Sequence, residues 1–181
     1  MVAFFLADGF EEMEALVPVD LLRRASVEVR TVSIHPCRKE VVGSHGITVT
    51  ADCTLEEMVD TPCVAALPGG LVGVNNLGAS EEFCARLAEY EAAGVTLAAI
   101  CAAPTLLSKL GLLRGREVTC YPTCASDITD GKYLDDNVVV SEGLITSAGP
   151  GTAFDFGLAL IRHLCSDEAA QSVARAACYK E

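Results

Sequence analysis

The strongest constraint on this chain is a set of short runs that stay apolar almost throughout. "VAFFLA" (2–7), "CVAALP" (63–68) and "VTLAAI" (95–100) show almost no polar alternation. A strand with one face in water alternates. A strand that does not alternate is covered on both faces, as in a parallel sheet held between two layers of helices. The segments between these runs have the helical period that such a sheet requires.

The chain is read in order as follows. Asp8–Gly9 make a turn, and a helix pattern runs to Ala25, with Pro18 kinking it or lying in its first turns. "VEVRTVSI" (27–34) is a second strand, and "EVVGSHGITVTAD" (40–52) two short strands joined around Gly43–Gly46. "TLEEMV" (54–59) carries a capping box, Thr54 with Glu57, and predicts a short helix. The strand over 63–67 ends in a Pro-Gly-Gly turn, with "PGGLVGVNN" as the loop that follows. Residues 80–94 begin with a Ser cap and stop at a Gly, and 103–113 form another helix. "REVTCYP", "NVVVSEG" and "LITSAG" are short strands or loops, and helices over 152–164 and 166–179 close the chain. No repeat, linker or low-complexity stretch interrupts it, so residues 1–181 are expected to form one α/β domain.

Composition narrows the functional classes. With 51% apolar and 21% charged residues, a sizeable core is expected. A net charge of −12 with scattered Lys and Arg argues against a nucleic-acid backbone as partner. No apolar stretch of about 18 residues suits a membrane span, and the N-terminus lacks the basic flank of a signal peptide. A cytoplasmic protein with reduced thiols is expected. The nine cysteines include no C-x-x-C pair, and Cys120 with Cys124 has no matching ligand pair, so no metal site is expected. Most cysteines, Cys63 and Cys165 among them, read as small buried hydrophobes.

Sites in open α/β sheets form beyond the carboxyl ends of strands. Cys101 follows a buried strand and precedes a helix, the setting of a nucleophile elbow where oriented amides favour thiolate. On spacing alone, one more buried cysteine is the more economical reading. Gly69–Gly70 could present amides as an oxyanion hole or be an ordinary turn. Glu14 shares a stripe with Pro18, Leu21 and Ala25, which puts its carboxyl on an apolar face and should raise its pKa. Glu11 and Glu12 read as solvated carboxylates at a helix start. His35, His45 and His163 offer no local Cys-His dyad, since Ala102 follows the cysteine.

Together, "LADGFEEMEALVPVDLLRRA", "LPGG", "AAICAAPTLL" and "TSAGPGTAFDFGLALI" closely resemble the ThiJ/PfpI family, in its small dimeric branch. The resemblance covers nearly the whole chain. It implies a flavodoxin-like three-layer α/β sandwich of the class I glutamine-amidotransferase type, usually a homodimer, working without a cofactor. Cys101 matches the reactive cysteine and Glu14 the acid that hydrogen-bonds it. Gly69, Gly70 and Ala102 match the positions of the oxyanion pocket. Three positions depart from the family pattern: Ala103 for a frequent glycine, Tyr121 for a histidine before Pro122, and His45 for a pocket arginine. The implied activity is cysteine chemistry on small reactive carbonyls or glycated groups, as in a glyoxalase or deglycase. The alternative is a redox sensor or stress chaperone acting through oxidation of Cys101. An older association with thiazole monophosphate biosynthesis has no residue here to support it.

Overall fold

A computed structural model describes residues 1–180. In chain order the elements are β1 (Val2–Leu6), α1 (Glu12–Arg24), β2 (Val29–Ser33), β3 (Glu40–Val42), β4 (Thr48–Thr50), β5 (Cys53–Thr54), β6 (Val64–Leu67), α2 (Leu71–Ala79), α3 (Glu81–Ala92), β7 (Thr96–Ile100), α4 (Ala103–Lys109), β8 (Glu117–Val118), β9 (Lys132–Tyr133), β10 (Val138–Ser141), β11 (Leu144–Ser147), α5 (Ala153–Leu164) and α6 (Asp167–Ala176). Seven strands form one sheet in the order β10-β11-β7-β6-β1-β2-β5. All of its pairings are parallel except β10 with β11. This is the mostly parallel, helix-covered sheet expected from the apolar runs.

Both faces are buried by the same strands. Along β1, Val2 and Phe4 point into one core while Ala3 and Phe5 point into the other. β7 repeats this with Ala98 and Ile100 against Leu97 and Ala99. The first core is closed by Val19, Leu21 and Leu22 of α1, Phe156 and Leu160 of α5 and Val173 of α6. The second is closed by Leu77 of α2, Phe83 and Leu87 of α3 and Leu106 of α4. α1 and α5 pack closely because Gly157 has no side chain. A methyl group there would lie 2.7 Å from Leu21 Cδ1 and 3.1 Å from the Pro18 Cα. α1 runs unbroken through Pro18.

Several expectations from the sequence change. The capping box forms, with Thr54 N–H donating to Glu57 Oε2 at 3.0 Å and Glu57 N–H to Thr54 Oγ1 at 3.3 Å. It closes only a turn, because Thr54 itself belongs to β5 and Pro62 precedes the return into β6. The stretch after Gly70 is not a loop but the helix α2, despite two glycines and two asparagines. The 103–113 helix ends at Lys109, with Gly111 at φ +68° beyond it. Only Cys53 and Cys120 are buried, whereas Cys63 and Cys165 are exposed. Cys63 precedes β6, where its thiol donates to the Met1 carbonyl at 3.1 Å, and Cys165 caps the C-terminus of α5. Among the described residues, no helix is long and apolar enough to cross a membrane.

Candidate active site

The carboxyl ends of β1, β6 and β7, adjacent in the sheet, deliver three segments to one place. The chain moves from β1 to β2 on one side and later returns to β6 on the other. β1 and β6 therefore flank the switch point where open α/β sheets place their ligands.

Cys101 is the turn residue between β7 and α4 and sits at φ +65°, a left-handed conformation that a residue with a Cβ adopts only under constraint. The constraint is visible. Cys101 N–H donates to the Ser147 carbonyl at 2.9 Å, and Tyr121 N–H donates to the Cys101 carbonyl at 2.8 Å. The side chain is half-buried and packs against both cores. The amides of Gly70 and Ala102 hydrogen-bond its sulfur.

Glu14 is fully buried on the first turns of α1. Its Oε2 accepts the Gly69 N–H at 2.7 Å, while Oε1 is buried without a hydrogen-bond partner. A bare carboxylate oxygen in that position is costly, whereas a protonated Oε1 can donate to a neighbouring sulfur. Burial pushes the Glu14 carboxyl up to about 7, opposed by its hydrogen bonds from Cys101 and Gly69 and aided by the nearby Glu11 charge. Burial, with an ionised Glu14 alongside, pushes the Cys101 thiol up to about 12, and the Gly70 and Ala102 amides pull it down. The two groups do not ionise together near neutrality, because a charge on Glu14 disfavours one on Cys101. A thiolate at Cys101 therefore requires a protonated Glu14 beside it.

Gly69 separates the two groups. A methyl group at Gly69 would lie 2.5 Å from Glu14 Oε2, 2.6 Å from Cys101 Cβ and 3.0 Å from the Ile100 carbonyl. Its amide is spent on Glu14, so the amides left facing the sulfur are those of Gly70 and Ala102. Gly70 takes φ +85°, and a Cβ there would meet the Gly9 carbonyl at 2.3 Å.

The other two glutamates of the "EEME" stretch are not solvated. Glu11 is 8% exposed and caps α1 by accepting Glu14 N–H at 2.8 Å. Glu12 is 5% exposed and anchors the β3–β4 hairpin. It accepts the His45 N–H at 2.7 Å, pairs with His45 Nδ1 at 2.8 Å and takes the Ser44 hydroxyl at 3.1 Å. Burial opposes that charge, but these hydrogen bonds outweigh it and hold the Glu12 carboxyl at about 2. Bonding to Glu12 raises the His45 imidazole. Gly43 makes room, since a Cβ there would meet Glu12 Oε1 at 2.3 Å. Nothing in the local pattern pointed to this anchor, because its partners lie 33 residues apart. Tyr121 is 44% exposed and its ring lies along Gly149, whose added Cβ would be 3.3 Å from Tyr121 Cδ2. A separate cavity of about 790 Å³ between β10 and α5 is lined by Asp136, Val138, Asp155 and Tyr179 and includes none of these groups.

Comparison with known proteins agrees with this fold. The family model described as the DJ-1/PfpI family matches residues 1–163. The chain belongs to the DJ-1/PfpI family. Among DJ-1/PfpI relatives, the Drosophila melanogaster protein dj-1beta is 39% identical over 173 residues, covering 94% of this chain and 92% of the fly protein. A Caenorhabditis elegans protein named glutathione-independent glyoxalase DJR-1.2 is 34% identical over 171 residues, covering 93% and 90% of the two chains. The solved structure of oxidized Toxoplasma gondii DJ-1 superposes with a TM-score of 0.95 at 34% identity, covering 99% and 98% of the two chains.

Proposed function

We propose that this DJ-1/PfpI protein is a cofactor-independent cysteine enzyme that converts small reactive dicarbonyls to hydroxy acids. The observation that carries this is the strained Cys101 facing two amides, with a buried Glu14 across the missing side chain of Gly69. The nematode relative's name gives the reaction class.

The sulfur of Cys101 attacks the aldehyde carbon of methylglyoxal, forming a C–S bond. The new alkoxide lies near the Gly70 and Ala102 amides and takes the proton that Glu14 gives up, yielding a hemithioacetal. Ionised Glu14 then removes the hydrogen on the former aldehyde carbon as a proton. The resulting enediol is reprotonated at the neighbouring carbon to give a thioester. Water cleaves the thioester, releasing lactate and restoring the thiol. The carbon skeleton is oxidised at one centre and reduced at the next, so no external electron carrier enters. Hydrolysis of early glycation adducts would begin with the same attack.

The decisive assay measures lactate formed from methylglyoxal without glutathione. Wild type is expected to turn over, with Cys101→Ser and Glu14→Gln reduced by about a hundredfold or more. Turnover no greater than that of Cys101→Ser would overturn the reading. We also propose a homodimer, since Met13, Val42, Ile47, Leu71 and Val72 are exposed apolar residues on α1, the hairpin and α2. Light scattering on the purified protein tests it, and a monomer at tens of micromolar would refute it.

A second reading rests on the oxidized state named for the Toxoplasma structure. Cys101 thiolate would take one oxygen from each of two peroxide molecules, releasing two waters and ending as sulfinate held by the same amides. Intact-mass spectrometry with peptide mapping would then place two oxygens on Cys101. Oxidation spread evenly over the cysteines would reject it.

A further inference from the structure

We infer that Glu11, a residue the reaction above does not use, is a positioning residue that closes a hydrogen-bond ring holding Glu14 against Gly69 and Cys101. The ring has three members. Glu11 N–H donates to the Gly69 carbonyl at 3.0 Å, Gly69 N–H donates to Glu14 Oε2 at 2.7 Å, and Glu14 N–H donates to Glu11 Oε2 at 2.8 Å. It joins the start of α1 to the loop after β6, which are 55 residues apart in sequence. No other side chain takes part.

The choice of residue is informative. Helix caps favour Ser, Thr, Asp and Asn, whose short side chains reach the first amides directly. Glutamate is a poor cap by that standard, yet here it folds back to its own helix and is almost buried. Capping alone does not call for it. Glu11 places a negative charge beside Glu14, and that charge disfavours a second carboxylate there. That charge pushes Glu14 toward its protonated form, the form in which Cys101 can carry the negative charge of the pair.

Few other groups face Glu14. Cys101 comes from the β7–α4 turn and the uncharged Gly69 amide from the loop after β6. One step away, Glu12 is bound to His45 of the hairpin, and Asp8 to Arg38 and His35. α5 meets α1 through Gly157, and its Asp155 is bound to Tyr179.

The inference rests on Cys101 being a reactive thiol, so the test reads the thiol itself rather than carbonyl turnover. Cys101 thiolate displaces iodide from iodoacetamide, and peptide mass spectrometry follows the rate at this residue from about pH 5 to 9. Glu11→Gln keeps an acceptor for Glu14 N–H but removes the charge. It is expected to slow Cys101 alkylation at neutral pH about threefold and to move the rise of the profile to higher pH, the size of one nearby, partly screened charge. Glu11→Asp keeps the charge and is expected to stay within about twofold of wild type. In a Glu14→Gln background, Glu11→Gln should change nothing, because the carboxyl it acts through is gone.

A Glu11→Gln profile matching wild type overturns the inference. So does the same slowing in the Glu14→Gln background, or a folded Glu11→Asp that behaves like Glu11→Gln. If wild-type Cys101 reacts no faster than half-buried Cys84, the reading of the site fails and this inference fails with it. Circular dichroism and the urea midpoint confirm that each variant is folded.

Discussion

Gly69→Ala is the sharpest test of the site as drawn. The new methyl group would sit 2.5 Å from Glu14 Oε2, 2.6 Å from Cys101 Cβ and 3.0 Å from the Ile100 carbonyl. None of these atoms is the free end of a mobile side chain. Glu14 Oε2 is fixed by the Gly69 amide itself, Cys101 Cβ by a backbone held at both ends, and the Ile100 carbonyl by the sheet. Overpacking of this kind costs about 1–3 kcal/mol. With three fixed obstacles the upper part of that range applies, about 2–3 kcal/mol, which in a chain of this size lowers Tm by roughly 4–12 °C. Relief comes only by pushing Glu14 and Cys101 apart, so Cys101 alkylation and lactate formation should fall about tenfold or more with the stability. Urea unfolding, iodoacetamide labelling and the lactate assay are run beside Gly151→Ala, where a Cβ meets nothing within 4 Å. If Gly69→Ala matches Gly151→Ala in stability and wild type in labelling, the close approach of the pair described here is wrong.

Three further outcomes follow from the same geometry. Glu14→Gln should become more stable relative to wild type as pH rises: below about 4.5 both forms of Glu14 are protonated, but between 4.5 and about 7 only the unfolded chain ionises. The wild type thereby loses up to about 3 kcal/mol, measured by urea unfolding at each pH, and a constant difference would contradict the burial of a protonated acid. The Glu12–His45 anchor should hold the hairpin in a window, because the depressed Glu12 value makes its share complete above 4.5 and lost as pH falls toward 2. The raised His45 value makes its share complete below 6.5 and lost as pH climbs through it. Hydrogen-exchange protection of residues 43–47 should drop on both sides, and Glu12→Gln should flatten the curve. Finally, Gly157→Ala, at the contact of α5 with Leu21 and Pro18 of α1, should lower stability by about 1–3 kcal/mol while leaving the pH profile of Cys101 labelling unchanged.

Much of the fold was legible because both faces of the sheet are covered. Strands β1, β6 and β7 had to be apolar at consecutive positions, and that pattern survives in a single sequence. α2 was not legible. Gly73 is there because a Cβ would strike the Phe10 amide at 2.6 Å, and Gly78 because Leu106 of α4 lies against it. These contacts put poor helix formers inside a helix, so local propensity pointed to a loop. The site was legible where chemistry follows from local position: Cys101 at a strand end and Glu14 on an apolar stripe. It was not legible where chemistry depends on partners remote in sequence. The burial of Glu11 and Glu12, the target of the Gly69 amide and the mutual influence of Glu14 and Cys101 all arise from segments that meet only after folding.

Every group assigned a part in the reaction lies before residue 103, yet the Cys101 amide is held by Ser147 and its carbonyl by Tyr121. During synthesis, the proposed nucleophile and its acid thus emerge well before the two anchors that give the elbow its conformation. A nascent chain that has not yet laid β11 beside β7 carries the thiol without the backbone that aims it. The elbow is held at both ends only once the last third of the polypeptide is made, so a product ending before Ser147 would carry the thiol without that hold.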